Sequence, residues 1–116
     1  MLPRSQRLSV EQFNVVMLKG RVTHSSFFLL RSLKVDEIGT ARKTHIAAVV
    51  PQKLVKKATG RNKLRRVMYE AIQPLYNSVS PGLNVILFAK SPAIDADFKI
   101  LSKEVRDIFV KAGILK

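Results

Sequence analysis

Apolar residues recur at helical spacing in three separate stretches of this chain, and in each the polar residues fall on the remaining face. In the strongest, Leu64, Val67, Met68, Ala71, Ile72 and Leu75 follow i, i+3, i+4, i+7, i+8 and i+11. That is one continuous stripe of a helix. The pattern places this helix over about 56–77, with Pro74 inside it. A proline lacks an N–H and clashes with the preceding turn, so the helix should kink or end early there. A shorter stripe of Val10, Phe13, Val16 and Met17 predicts a first helix. Ser9 is its N-cap, Gln12 the reciprocal capping partner, and Gly20 its stop. Phe98, Leu101, Val105, Ile108, Phe109 and Ala112 make a last helix, with Gly113 near its end.

Between these stretches the period changes to that of strands. Residues 27–35 put Phe28, Leu30 and Ser32 on one face and Phe27, Leu29, Arg31 and Leu33 on the other. Both faces are partly apolar, which predicts a strand that is central or covered on both sides. Residues 36–42 are the most acidic and least regular connection. Residues 44–50 read as a strand of small residues that Pro51 ends, since proline cannot donate to a central ladder. Ser80-Pro81-Gly82 is a turn, and residues 84–90 are a continuously apolar, buried strand. The chain shows no internal repeat and no low-complexity linker. The expected fold is an α/β sandwich of the α+β kind in one domain spanning 1–116. It has a small mixed sheet and three helices in the order α-β-β-(β)-α-β-α. The strands at 44–50 and 84–90, with the long helix between them, are what a parallel pair with a helical crossover looks like. General rules make such a crossover right-handed.

Charge changes the picture from fold to partner. Lys and Arg number 21 against 8 Asp and Glu, a net +13 in 116 residues. An excess of this size repels itself in the compact state, and an anionic partner is the economical explanation. With 47% hydrophobic residues the chain is not a disordered basic tail. The absence of cysteine excludes a disulfide scaffold and a thiolate nucleophile. No apolar run approaches the ~18 residues of a membrane span, and residues 1–7 lack the apolar core of a signal peptide. A soluble, cytoplasmic protein facing nucleic acid is the expectation. A peripheral membrane protein fits less well, because the basic helix carries Arg, Asn and Tyr rather than bulky apolar residues beside its charges.

Catalytic groups are not evident. The carboxylates are scattered, with no ligand spacing. His24 and His45 are single histidines, more simply structural than metal ligands. No phosphate-binding loop or nucleophile elbow is present. The basic helix is the feature that asks for a function. At 100° per residue, Asn62, Arg65, Arg66 and Tyr69 share a face away from the apolar stripe, with Arg61 at its edge. Guanidinium forks match phosphate geometry bidentately, which point-charge lysines do not. Lys53, Lys56, Lys57 and Lys63 add charge around them. The plain alternative is a solvated charged surface. Against it, no acidic residue one turn away neutralises Arg61 or Arg65, and only Arg66–Glu70 has that spacing.

The run Arg61-Asn62-Lys63-Leu64-Arg65-Arg66-Val67-Met68-Tyr69-Glu70-Ala71 resembles the signature helix of the bacterial ribonuclease P protein subunit. The resemblance extends almost end to end. It takes in Leu2-Pro3-Arg4 with Arg7-Leu8, Phe13 with Val16 and Gly20, and the strand 85–90 closing on Ala89-Lys90. It implies a protein that binds a large catalytic RNA through Lys53, Lys56, Lys57, Arg61, Asn62, Lys63, Arg65, Arg66 and Tyr69. It also implies a cleft of Phe13, Met17 and Arg31 for the 5′ leader of precursor tRNA. Phosphodiester hydrolysis would depend on Mg2+ bound by the RNA partner, with no catalytic residue and no metal held by the protein. The protein itself would be a monomer in the absence of RNA. The family's crossover is left-handed, against the general rule.

The chain departs from the family pattern in places. Met17 stands where a second aromatic is usual, and Arg31 where the cleft-lining strand commonly has an aromatic. Val50-Pro51-Gln52-Lys53 has one lysine fewer than the family's segment before the helix, and Lys63 replaces an arginine. Met17 can still lie flat on a base as a polarizable surface, and Arg31 can stack on a base or grip a phosphate. The alternative from another class is a basic structural protein of the ribosome or an RNA chaperone. A groove between the first helix and the sheet, lined by Phe13, Met17 and Arg31, distinguishes the two, since a purely structural protein has no need of it.

Overall fold

The computed structural model describes residues 7–35 and 43–116. The family-like Leu2-Pro3-Arg4 and the acidic connection 36–42 lie outside the described residues. Three α-helices and four strands follow in the order α1 (Val10–Lys19), β1 (Arg21–His24), β2 (Phe28–Lys34), β3 (His45–Val49), α2 (Ala58–Ile72), β4 (Leu83–Ala89) and α3 (Phe98–Lys111). The strands form one mixed sheet in the order β1-β2-β4-β3. β1 and β4 pair with β2 antiparallel, and β3 pairs with β4 parallel. The parallel pair joined through α2 is the one its sequence pattern predicts. Among the described residues no helix is long and apolar enough to cross a membrane.

The sheet is covered on one face by α2 and α3 and in part on the other by α1. Phe28, Leu30, Ile46, Ala48, Val85, Leu87 and Ala89 point to the face under α2 and α3 and form one buried cluster with Leu64, Met68, Ile72, Leu101, Val105, Ile108 and Phe109. The alternate residues face the other way. Cross-strand register aligns Leu29 with Phe88 and Arg31 with Ile86, then Ala47 with Ile86 and Val49 with Phe88. α1 lies across this second face against β2 and β4, and its Val16 is fully buried there.

The helix ends follow local chemistry. Ser9 and Gln12 form the reciprocal capping box of α1. Gly20 ends α1 in an extended conformation, with φ −69°, so the left-handed cap expected of a terminal glycine is not its reason. A Cβ there would stand 2.5 Å from the Val16 carbonyl oxygen, and only glycine lets the chain turn back this tightly into β1. α2 ends at Ile72, and a 3-10 helical segment Gln73–Ser78 carries the chain past Pro74. The early end is the proline effect expected from the sequence. Asp97 caps α3, accepting from the Lys99 N–H at 3.3 Å. Phe98, placed on the buried stripe by spacing, is 46% exposed because it stands in the first turn, ahead of the helix's contact with the core.

β1 is an element the apolar pattern does not announce. Three of its four residues are exposed, so no alternation marks it. It exists because the turn at Ser25 returns the chain onto β2, where the Ser25 hydroxyl accepts from the Phe28 N–H at 3.1 Å.

Candidate nucleic-acid interface

α2 begins without a side-chain cap at Lys57 and without an acidic residue in its first turn. Its N-terminal end is therefore positive from both the helix dipole and the surrounding lysines. Lys53, Lys56, Lys57, Asn62, Lys63 and Arg66 are exposed, while Arg61 and Arg65 are half-buried. Among the described residues the ion pair is Lys103–Asp107, exposed on α3 at 2.9 Å. Arg66 and Glu70 do not meet despite their spacing. The cations of α2 thus stand without carboxylate partners among the described residues.

The helical face expected from phase alone is divided by the fold. Arg65 donates from Nη2 to the Asn62 side-chain oxygen, which holds the guanidinium along the helix. Arg61 turns back instead. Its Nη1 donates to the carbonyls of Val55 at 3.0 Å and Lys56 at 2.7 Å. Tyr69, which helical phase places on this face, lies deeper than the rest of it. It is 6% exposed and sits in the core, and its hydroxyl accepts the Ala48 N–H at 3.1 Å. β3 is an edge strand, and Tyr69 closes part of its open edge. Helical phase put Tyr69 beside Arg65 and Arg66; the position of β3 under that flank of α2 buried it.

A concavity of about 590 Å³ opens beside this edge, lined by Arg7, Leu8, Ser9, Ala47, Ala48, Arg65 and Tyr69. Ala47 and Ala48 point to opposite faces of the sheet, so the hollow wraps around the edge of β3. It joins the cation side of α2 to the start of α1. The small side chains of β3 leave this room. They were legible as a small-residue strand, but nothing in the sequence said the strand would lie at an edge.

Phe13, Met17 and Arg31 come together where α1 crosses the sheet. Phe13 is half-buried and meets Phe88 of β4 edge-on, ring centroids 6.4 Å apart at 63°. Met17 is 38% exposed. Arg31 reaches α1 and donates from Nη1 to the Met17 carbonyl at 3.2 Å. Phe88 is the aromatic that sequence reasoning missed. It lies within a continuously apolar run, and only the β4 register places it on the half-open face beneath α1.

Comparison with known proteins agrees with this architecture. The family model described as Ribonuclease P matches residues 2–113. The ribonuclease P protein component of Synechococcus elongatus is 32% identical, with 98% of this chain and 95% of the relative covered. That of Rippkaea orientalis is 28% identical over 98% and 91%. Among solved structures, the Staphylococcus aureus RNase P protein superposes with a TM-score of 0.82 at 20% identity, covering 96% of this chain and 98% of that one. The Thermotoga maritima protein gives 0.73 at 21%, over 87% and 92%. At such identities the structures speak to the fold, which they share. These matches do not favour a structural protein of the ribosome or an RNA chaperone.

Proposed function

The chain belongs to the ribonuclease P protein family, the protein subunit of an endoribonuclease, and we propose that it binds the enzyme's catalytic RNA through the cations of α2 and the segment before it. Asn62, Lys63, Arg65 and Arg66 meet RNA phosphates directly, with Lys53, Lys56 and Lys57 beside them. Tyr69 supports this surface from within. The single observation that carries the reading is the cation face of α2, without carboxylate partners among the described residues, whose Arg65 lines a hollow continuous with the edge of the sheet. An extended anionic strand held at Arg65 is led around β3 toward the face where Phe13, Met17 and Arg31 lie.

The 5′ leader of precursor tRNA occupies that second region. Phe13 and Phe88 offer apolar ring surface, Met17 a polarizable one, and Arg31 a cation. Stacking of a base on such surfaces is worth ~1–3 kcal/mol, and one partly covered aromatic pair belongs at the lower end. The protein supplies binding and orientation. Hydrolysis of the phosphodiester proceeds with Mg2+ held by the RNA partner, in the cytoplasm.

Multiple-turnover cleavage of precursor tRNA by the cognate catalytic RNA at low Mg2+, with and without the chain, tests the reading. Turnover should rise with the chain present. Purified protein with Mg2+ but without RNA should leave precursor tRNA intact. Specific 5′ cleavage by nuclease-treated protein alone, or no response of the catalytic RNA to the chain, would sink it.

A further inference from the structure

Segment 51–57 alternates anchors with cations. Leu54 and Val55 are half-buried and pack against the core, while Lys53, Lys56 and Lys57 are exposed. A tight turn shapes the segment, since the N–H groups of Leu54 and Val55 both donate to the Pro51 carbonyl, at 3.0 and 3.3 Å. Two contacts then lock it onto the first turn of α2. A Cβ on Gly60 would stand 2.8 Å from Val55 Cγ1, so the absent side chain is what lets Val55 seat. One residue on, both N–H groups of Arg61 Nη1 are taken up by the carbonyls of Val55 and Lys56.

We propose that Arg61 is a positioning residue: its guanidinium clasps segment 51–57 to α2, and so sets where Lys53, Lys56 and Lys57 meet RNA phosphates. The inference rests on the α2 surface being the RNA contact. It departs from what the family resemblance implies in assigning Arg61 to the protein rather than to the RNA. The physical case is one of entropy. Three lysines on a free loop lose chain and rotamer freedom when they bind, whereas lysines on a segment already docked bring their charge with less of that cost. An arginine can serve two carbonyls in one plane because its fork is rigid. α2 has no side-chain cap at Lys57, so the clasp is also the side-chain hydrogen-bond link between the segment and the helix start.

A direct phosphate contact and a clasp predict opposite couplings. Catalytic-RNA affinity is measured for wild type, Arg61→Ala, the triple variant Lys53→Gln/Lys56→Gln/Lys57→Gln, and the two combined. If Arg61 acts through the lysines, Arg61→Ala weakens binding about tenfold in the wild-type background and less than about twofold in the triple variant, since residues acting through one another do not add. Equal losses in both backgrounds would overturn the proposal. Hydrogen exchange on the free protein gives an independent reading. Leu54 and Val55 amides should exchange about tenfold faster in Arg61→Ala, as local opening becomes easier, and not in Arg66→Ala. Unchanged protection in Arg61→Ala would overturn the clasp itself. Faster exchange with no loss of RNA affinity in any variant, Arg66→Ala included, would instead overturn the RNA surface on which the inference rests.

Discussion

Arg31 of β2 donates from Nη1 to the main-chain carbonyl of Met17, 3.2 Å away in the last turns of α1. That carbonyl is one of the last four of the helix, which have no partner within it, and a cation is favourable at that end. The bond ties the end of α1 to the middle of the sheet. Arg31 is therefore not a freely solvated strand residue.

Arg31→Ala should accordingly have two effects. Loss of the bond to Met17 should cost about 1 kcal/mol of stability, read as a lower midpoint in urea. The dissociation constant for precursor tRNA should rise about fivefold, as expected for one weak base or phosphate contact, while that for mature tRNA barely moves. Met17→Ala separates the two, because it leaves the carbonyl and the bond in place. It should weaken precursor binding without the loss of tie to the sheet. Equal effects of both variants on precursor and mature tRNA would mean that the leader lies elsewhere.

Arg65→Ala combined with Arg66→Ala should leave the fold intact, since neither residue belongs to the core cluster. Catalytic-RNA affinity across a salt series should fall. The log–log slope should flatten by about one unit per lost contact, somewhat less on single strands. An unchanged slope would remove this pair from the interface.

Tyr69→Phe should behave as a core substitution. The ring still packs, but the Ala48 N–H loses its acceptor. Leaving a buried donor unsatisfied costs ~1–3 kcal/mol, to be seen in thermal or urea unfolding. Catalytic-RNA affinity of the folded variant should stay within about twofold of wild type, far less than loss of a charge-assisted contact. A variant of normal stability that binds RNA poorly would return Tyr69 to the interface.

Tyr76 joins the 3-10 segment to the start of β3 by donating its hydroxyl to the Thr44 carbonyl. The Thr44 hydroxyl in turn donates to the Ser80 carbonyl at 2.7 Å. Burial raises the phenol's pKa above its ordinary 10.0. The neutral form is thus favoured by folding. Its contribution is fully present below the unfolded value and is lost as pH rises through the higher folded value. Wild type should lose stability above about pH 10 by this route, and Tyr76→Phe should lack that part of the pH dependence while being about 1 kcal/mol less stable at neutral pH. Identical alkaline profiles for the two proteins would show that the phenol is not the group responsible.

What the sequence determined by itself is what depends on neighbours along the chain. The capping box at Ser9 and Gln12, the stripe of α2 and its early end before Pro74 all follow from short-range pattern, and so does the cationic character of α2; the strand–helix–strand order announced the parallel β3–β4 pair through its crossover, without fixing its register. Tertiary structure decided whatever depends on where one element lies against another. Tyr69 and Arg65 share a helical face by phase, yet the edge of β3 covers the first and leaves the second half-open. Arg61 has the side chain of a phosphate contact and spends Nη1 on its own loop. β1 pairs with β2 although three of its residues face solvent, because backbone hydrogen bonding needs no apolar pattern. Phe88 and Arg31 join the surface beneath α1 only through strand register and the path of the helix across the sheet. Periodicity states which way side chains point from one backbone; the sheet order, a sum of non-local pairings, determines what they meet.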